Sequence, residues 1–261
     1  NLNFYDYLMQ KDKSLLNIKG MDLKELRIFV ESLGMKPFRG DQLYRWLYKH
    51  MVINPQDMLN LPNQIKEYID GTQTLSTLEL FKKNVSKIDG TIKYLFKTHD
   101  NLFIESVSIF EDGRHTVCLS SQVGCNVGCT FCATAKMGLI RNLKTSEIID
   151  QFINIYKYSK IKITNIVFMG MGEPFLNYNS VIKASNILHD TKGFGIASHR
   201  ITISTSGILS KIKKYIDDKI KFNLAISINA SNDKSRSSIM PINKKGGLKA
   251  LIEVVKKYNI K

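Results

Sequence analysis

The rhythm of apolar and polar positions changes twice along the chain. Over residues 1–75 the apolar residues recur at helical spacing. Leu26, Phe29, Val30 and Leu33 fall on one face, and Asp22 with Glu25 makes a capping-box pattern just ahead of them. A second helix is predicted from near Asp41, carrying Leu43, Trp46 and Leu47 on one face, and Asn54-Pro55 and Leu61-Pro62 mark two further turns. Residues 91–110 alternate instead. Tyr94 and Phe96, then Phe103, Glu105, Val107 and Ile109, flank a turn at His99, Asp100 and Asn101, which predicts a β-hairpin. Glu105 interrupts the apolar positions. A carboxylate there is either an edge charge or a working acid or base.

From residue 116 the pattern becomes strand then helix. Buried strands are predicted at 117–120, 163–169, 200–204 and 222–228. Helices are predicted from a Thr145 cap (with Ile148, Ile149, Phe152 and Ile155 inward) and over 181–188, 209–216 and 247–258. That alternation implies a parallel sheet, open or barrel-like. The glycine-rich and polar signatures all follow strand carboxyl ends: the cysteine loop, Gly172-Glu173, Ser204, and Ser227 with Ile228 and Asn229. Parallel sheets bind ligands at that end. Glycine at 172 permits close approach to the backbone, and Glu173 can accept from an ammonium group.

The strongest chemical signal is Cys125, Cys129 and Cys132, spaced C-x3-C-x2-C. Three thiolates can hold three irons of a four-iron cluster and leave the fourth open to a ligand, whereas electron-transfer clusters use four cysteines. The competing reading adds Cys118 to make a four-thiolate structural zinc site. Zinc sites present paired C-x2-C hooks, and only Cys129 and Cys132 form one. With four cysteines in 261 residues a disulfide framework is not expected. No run of apolar residues is long enough for a membrane span.

Charge adds a partner. Lys and Arg number 38 against 23 acidic residues, a net charge of +15, which favours a polyanion such as RNA. Lys36, Arg39, Arg45 and Lys49 make the helical amino-terminal part basic, although the lysine-rich, isoleucine-rich composition is also what AT-rich genomes produce. A non-catalytic, zinc-containing RNA-binding protein and a cluster enzyme acting on a small molecule are the alternatives, the latter disfavoured by the charge.

Six segments together resemble the radical S-adenosylmethionine (SAM) superfamily and, within it, the RlmN family of RNA adenine carbon-2 methyltransferases. They are Arg39-Gly-Asp-Gln-Leu-Tyr44, Cys118-Leu-Ser-Ser-Gln-Val-Gly-Cys125, Phe131-Cys-Ala-Thr134, Phe168-Met-Gly-Met-Gly-Glu-Pro174, Ile203-Ser-Thr-Ser-Gly207 and Ile239-Met-Pro-Ile-Asn243. Pro174 and Ser206 look more like the carbon-2 enzymes than the related carbon-8 Cfr enzymes. The resemblance implies an α/β fold: a partial (βα) radical-SAM barrel over 116–261, preceded by a basic helical RNA-binding domain over 1–90 and a β-hairpin connector over 91–115.

It further implies a [4Fe-4S] cluster on Cys125, Cys129 and Cys132, and SAM against Gly172, Glu173, Ser204, Ser227, Ile228 and Asn229. In that scheme one SAM methylates a family cysteine near the carboxyl terminus. A second is cleaved to a radical that activates this methyl group, and the methyl carbon then adds to adenine. Glu105 matches the proton acceptor, and Cys118 matches the cysteine that releases the adduct by forming a disulfide. Implied partners are 23S rRNA and tRNA, with an electron donor such as flavodoxin or ferredoxin. The protein is expected to be a cytoplasmic monomer with no membrane association. Two departures stand out. Asn229 replaces a family His, so a backbone contact survives there but an imidazole role does not. The chain is also read as truncated at its carboxyl end, without the methyl-carrying cysteine and the last strands, and so as inactive alone.

Overall fold

The computed structural model describes residues 17–72 and 75–258. Three helices open the described chain: α1 (Leu23–Ser32), α2 (Phe38–Tyr48) and α3 (Asn63–Thr72). The capping box predicted for α1 is present. Asp22 Oδ1 accepts from Glu25 N at 2.9 Å, and Glu25 Oε2 accepts from Asp22 N at 2.8 Å. α2 starts at Phe38, earlier than the sequence pattern predicts, because Pro37 takes the cap position. Its inward face is Leu43, Tyr44, Leu47 and Tyr48, while Trp46 is only partly buried against the core.

Nine strands follow: β1 (Leu78–Val85), β2 (Ile92–Thr98), β3 (Phe103–Glu111), β4 (Arg114–Cys118), β5 (Gln122–Gly124), β6 (Leu139–Asn142), β7 (Asn165–Phe168), β8 (Ile201–Thr205) and β9 (Asn223–Ile226). Helices α4 (Ala133–Lys136), α5 (Thr145–Ser159), α6 (Tyr178–His189), α7 (Leu209–Asp217), α8 (Asp233–Ile239) and α9 (Gly247–Val255) lie among and after them. Seven strands form one mixed sheet in the order β1-β2-β3-β4-β7-β8-β9, and β5 pairs with β6 separately. β1 to β4 are antiparallel neighbours, whereas β4, β7, β8 and β9 run parallel. The four predicted parallel strands are these four.

Two expectations need correction. The hairpin predicted over 91–115 is the middle of a longer meander, and strand β1 lies inside the stretch read as helical. Its residues are almost all exposed, so an edge strand rich in lysine shows no clean apolar alternation. Helix α8 was also missed, because its polar run Asp233-Lys-Ser-Arg-Ser-Ser buries little besides Arg236.

The sheet has two unlike faces. Tyr94, Phe96, Ile104, Ser106, Val117, Ile166, Phe168, Ile201 and Ile203 are buried. Strand pairing puts Tyr94 opposite Ser106, Phe96 opposite Ile104 and Ile166 opposite Ile201, all on the helix-covered face. Gln151 of α5 seals this side. Its Oε1 accepts from Ser106 Oγ and Ser120 N, both at 2.7 Å, and its Nε2 donates to Ser120 O at 3.0 Å. The opposite face carries Phe103, Glu105, Val107, Cys118, Val167, Thr202 and Ser204, of which Glu105 and Phe103 are open to solvent. Right-handed crossovers between successive parallel strands put their helices on one side, which makes a partial barrel with an open inner face.

The amino-terminal helices dock on the outer helical layer. Phe194 bridges them, its ring centroid 5.6 Å from Tyr48 and 4.8 Å from Phe152. Beneath this contact Lys19 Nζ meets Asp150 Oδ1 of α5, both side chains 1% exposed. Asp150 Oδ2 also accepts from Thr77 N, Thr77 Oγ1 and Leu78 N. This one carboxylate ties the helical part, the start of β1 and α5 together. Replacing Asp150 by Ala strands a buried ammonium and three donors, and should destabilise the chain by about 3–5 kcal/mol in urea unfolding. Lys19→Met should cost clearly less, since Asp150 keeps its other donors.

Candidate active site

The cysteine loop leaves β5 and returns through α4 to β6. Gly124 sits at φ +76, and a Cβ there would lie 1.8 Å from Gly138 O, so only glycine lets the two arms close. Cys125 N donates to Gly138 O at 2.9 Å, and Cys132 N donates to Cys129 O at 3.1 Å. From the far side, Thr130 N donates to Ile239 O of α8 at 3.0 Å. Cys125 is buried and Cys129 and Cys132 are half-buried. Burial raises the Cys125 and Cys129 thiols above their ordinary range, and the neighbouring thiols and the Glu173 carboxylate push the same way. The three loop thiols therefore share one electrostatic neighbourhood.

Cys118 is elsewhere. It ends β4 on the open face, between Val107 and Val167. Burial pushes its thiol up to about 11, with a Met169 backbone hydrogen bond opposing. It thus stands with the strand residues rather than with the loop thiols, which weighs against a four-thiolate zinc site. All four cysteines are free thiols. The disulfide that the resemblance implies for Cys118 is not formed with any of the other three.

Glu173 lies at the junction of three loops. Its N donates to Gln122 Oε1 at 2.8 Å, its Oε1 accepts from Phe175 N at 3.1 Å and its Oε2 accepts from Ser206 N at 2.7 Å. The carboxylate is buried and already engaged with backbone donors, but it keeps lone pairs for an ammonium group. Gly172, at φ +98, is glycine for a protein reason as well. A Cβ there would fall 2.5 Å from Gln122 Cβ. The close approach visible at 172 is therefore to Gln122.

Ser204 stands on the open face of β8 opposite Ala225. Ser227 continues β9, its N donating to Thr205 O at 2.9 Å. Ile228 is exposed, and Asn229 adopts a left-handed backbone at φ +59. Asparagine tolerates that conformation better than most residues, a local reason for its presence.

Glu105 faces the same open side as Cys118, since Val107, two residues on, pairs with Cys118. Its side chain is 43% exposed and its Oε1 lies 2.9 Å from Lys93 Nζ. Its backbone N donates to Met171 Sδ at 3.3 Å, so the loop after β7 packs against β3.

Sequence reasoning missed Arg236. It is 2% exposed and is bonded to carbonyl and amide oxygens. Nε donates to Ile228 O at 2.9 Å, Nη1 to Asn243 Oδ1 at 2.6 Å, and Nη2 to Ser206 O at 2.6 Å and Ser227 O at 3.0 Å. One guanidinium fastens the segments after β8 and β9 to each other. The motif ending at Asn243 was the available signal, since Asn243 orients the guanidinium and is itself held by Asp233.

Arg141 was missed too. It joins the cysteine hairpin to the β2–β3 turn through Asp100 (Nε to Oδ2 2.6 Å, Nη2 to Oδ1 2.7 Å), and to α5 through Glu147 (Nη1 to Oε2 2.9 Å, Nη2 to Oε1 2.8 Å). α5 itself is capped at Lys144 rather than Thr145, with Lys144 N donating to Glu147 Oε2 at 2.7 Å.

Among the described residues no group of three or more His, Cys, Asp or Glu side chains is gathered closely enough to hold a metal ion, so the loop brings its three thiols into one neighbourhood without assembling them as a ligand set. By their chemistry, three thiols beside a carboxylate lone pair and strand-end hydroxyls are the donors that an open iron–sulfur cluster and an amino-acid-bearing cofactor require. The Radical SAM superfamily profile matches residues 119–261. The chain is a member of that superfamily, whose cofactors are a [4Fe-4S] cluster and SAM. A second profile, the ribosomal RNA large subunit methyltransferase N-terminal domain, matches residues 16–74. A Thermotoga neapolitana protein named "Probable dual-specificity RNA methyltransferase RlmN" is 42% identical over 94% of this chain and 71% of its own length. An Aquifex aeolicus protein of the same name is 44% identical over 90% of this chain and 68% of its own. The crystal structure of a radical SAM methyltransferase from Sphaerobacter thermophilus superposes with a TM-score of 0.87 at 36% identity, covering 93% of this chain and 72% of that one. The chain belongs to the RlmN family.

Two outcomes test this geometry. Arg236→Met removes the donor from four oxygens at once, and should lower the thermal midpoint and raise the amount of SAM needed to perturb the reconstituted cluster's EPR signal. Lys at 236 should restore part of the latter by keeping a donor. The second concerns acid. Arg141 holds the Asp100 carboxyl well below its ordinary range of about 4. A carboxyl depressed in the fold stabilises it at pH above the unfolded value and ceases to do so as pH falls through the folded one. Below about pH 4, Asp100→Asn should therefore unfold with a shallower pH dependence than the native chain, as followed by circular dichroism.

Proposed function

We propose that this chain is a radical SAM methyltransferase that modifies carbon 2 of adenosine in RNA, with 23S rRNA and tRNA as substrates. The observation that carries the reading is the convergence on one rim of the cysteine loop, Glu173 and Ser204, with Cys118 and Glu105 on the adjoining open face. Cys125, Cys129 and Cys132 hold the cluster. Gly172, Glu173, Ser204, Ser227, Ile228 and Asn229 receive SAM, Glu173 through its remaining lone pairs and Asn229 through its backbone. When bound, these cofactors supply one-electron chemistry, which reaches an electron-poor ring carbon that ordinary methyl transfer cannot.

The chain's own groups do the rest. Glu105 accepts the proton that the ring carbon must lose, its carboxylate oriented by Lys93. Cys118 is read as the group that releases the modified RNA: its sulfur bonds to that of the family's methyl-carrying cysteine as the bond from that cysteine to the RNA-borne carbon breaks. Burial pushes its thiol up to about 11, so it must lose its proton to act. The target adenine must be splayed out of its RNA to reach this depth. Exposed Arg45 on α2, with Lys36 and Lys49 just before and after that helix, grips phosphates. The helical part is read as the RNA-binding domain, the meander as the connector and the parallel strands as the catalytic domain. The enzyme is read as a cytoplasmic monomer served by a flavodoxin- or ferredoxin-type donor. Among the described residues no helix is long and apolar enough to cross a membrane.

Anaerobic iron–sulfur reconstitution followed by EPR, with and without SAM, tests the proposal. A four-iron signal that changes with SAM is expected. Cys118→Ala should keep that signal and Cys129→Ala should lose it. Bound zinc without an iron signal, lost on Cys118→Ala, would sink the enzyme reading.

A further inference from the structure

Strand β1 carries a β-bulge. Its pairing with β2 steps from Leu80 opposite Phe96 to Lys82 opposite Leu95, leaving Phe81 as the extra residue. Bulges re-aim side chains and bend the strand. Here Phe81 is 61% exposed, and its ring meets that of Phe103, itself 37% exposed, with centroids 5.0 Å apart at 67°. β2 lies between β1 and β3, so the contact reaches across a whole strand on the open face of the sheet. Neither ring serves the core.

The register fixes what surrounds them. Lys97 pairs with Phe103, Leu95 with Glu105 and Lys93 with Val107, while Lys82 pairs with Leu95. Lys82, Lys93 and Lys97 thus stand on the open face with the two rings. Phe103 precedes Glu105 by two residues on that face, about 7 Å along the strand. Over 78–98 there are five lysines, against Glu79 and Asp89. Lys93 is engaged by Glu105, while Lys82 stands beside the rings and so does Lys97, which has Glu79 opposite it on β1.

We propose that this face is a stacking platform for the single-stranded RNA next to the target adenosine. Bases lie on Phe81 and Phe103, and phosphates meet Lys82 and Lys97. Aromatic rings rimmed by lysines are the combination that single-stranded nucleic acid requires, because every base has a π-face and every nucleotide a charge. The bulge has a purpose on this account: it turns Phe81 inward over β2, to a place from which a stacked strand leads to Glu105. The proposal rests on the reading of the chain as an RNA methyltransferase.

The test is fluorescence anisotropy of a short labelled single-stranded RNA with a central adenine, titrated with the chain at several salt concentrations. Phe81→Ala with Phe103→Ala should weaken binding at least about 10-fold and leave the salt slope unchanged. Phe81→Trp should bind as tightly as the native chain. Lys82→Ala with Lys97→Ala should reduce the slope by about 1.4. Circular dichroism melts of these exposed-site variants should match the native one. If the double Phe variant binds like the native chain, the platform is wrong and the RNA reading stands. If the native chain binds no RNA, the RNA reading falls and the platform with it. Unchanged RNA affinity together with altered self-association would assign the face to a protein contact and overturn the proposal.

Discussion

Two buried charges hold the carboxyl ends of the parallel strands in place. Glu173 joins the loop after β7 to that after β8 through Ser206 N, and Arg236 joins the segments after β8 and β9 through three carbonyls. Strand ends in a parallel sheet have no ladder partner beyond their last residue, so their loops would otherwise wander. Ionised groups make the stronger hydrogen bonds, and burial sharpens them. The consequence is a rim whose backbone is set before any ligand arrives. Preorganisation of this kind is what a site needs if its donors are to be within a fraction of an ångström of their task.

The second organising fact is the asymmetry of the sheet. Helices cover one face, so most of the large buried side chains of the strands lie on that side, while Phe103, Val107 and Val167 lie on the other. The polar and reactive residues, Glu105, Cys118 and Ser204, fall on the other by alternation alone. A one-residue slip in β3 would exchange Glu105 for Ser106 and bury the carboxylate. Gln151 helps to forbid that slip, because it bonds Ser106 and Ser120 from the helical side. Register, and not proximity in sequence, therefore brings Glu105 and Cys118 to one surface.

The amino-terminal helices are fastened to the outer layer by Lys19, Asp150 and Phe194, and the cysteine hairpin is fastened to the meander by Arg141. Each attachment crosses a long stretch of sequence. Together they fix the basic helices and the cysteine loop to α5, which acts as the common strut. The placement of the basic helices and of the cysteine loop thus depends on one shared helix.

The sequence alone determined the four parallel strands, the α1 cap and the cysteine loop, because these depend on local periodicity, side-chain-to-backbone capping and short spacing. The same local signals pointed to Gly172, Glu173 and Ser204, whereas the role expected of Cys118 came from the family resemblance alone. β1 was illegible, since an exposed edge strand need not alternate. Arg236 and Arg141 were illegible for a different reason. Their partners lie on other elements, and a lone arginine in a basic chain has no local mark. Whether Glu105 faced solvent or core, and whether Cys118 joined the other thiols, were likewise decided only by tertiary structure. Both depend on which strands pair and in what register, and that is settled by burying the helix-facing side chains of all the strands at once.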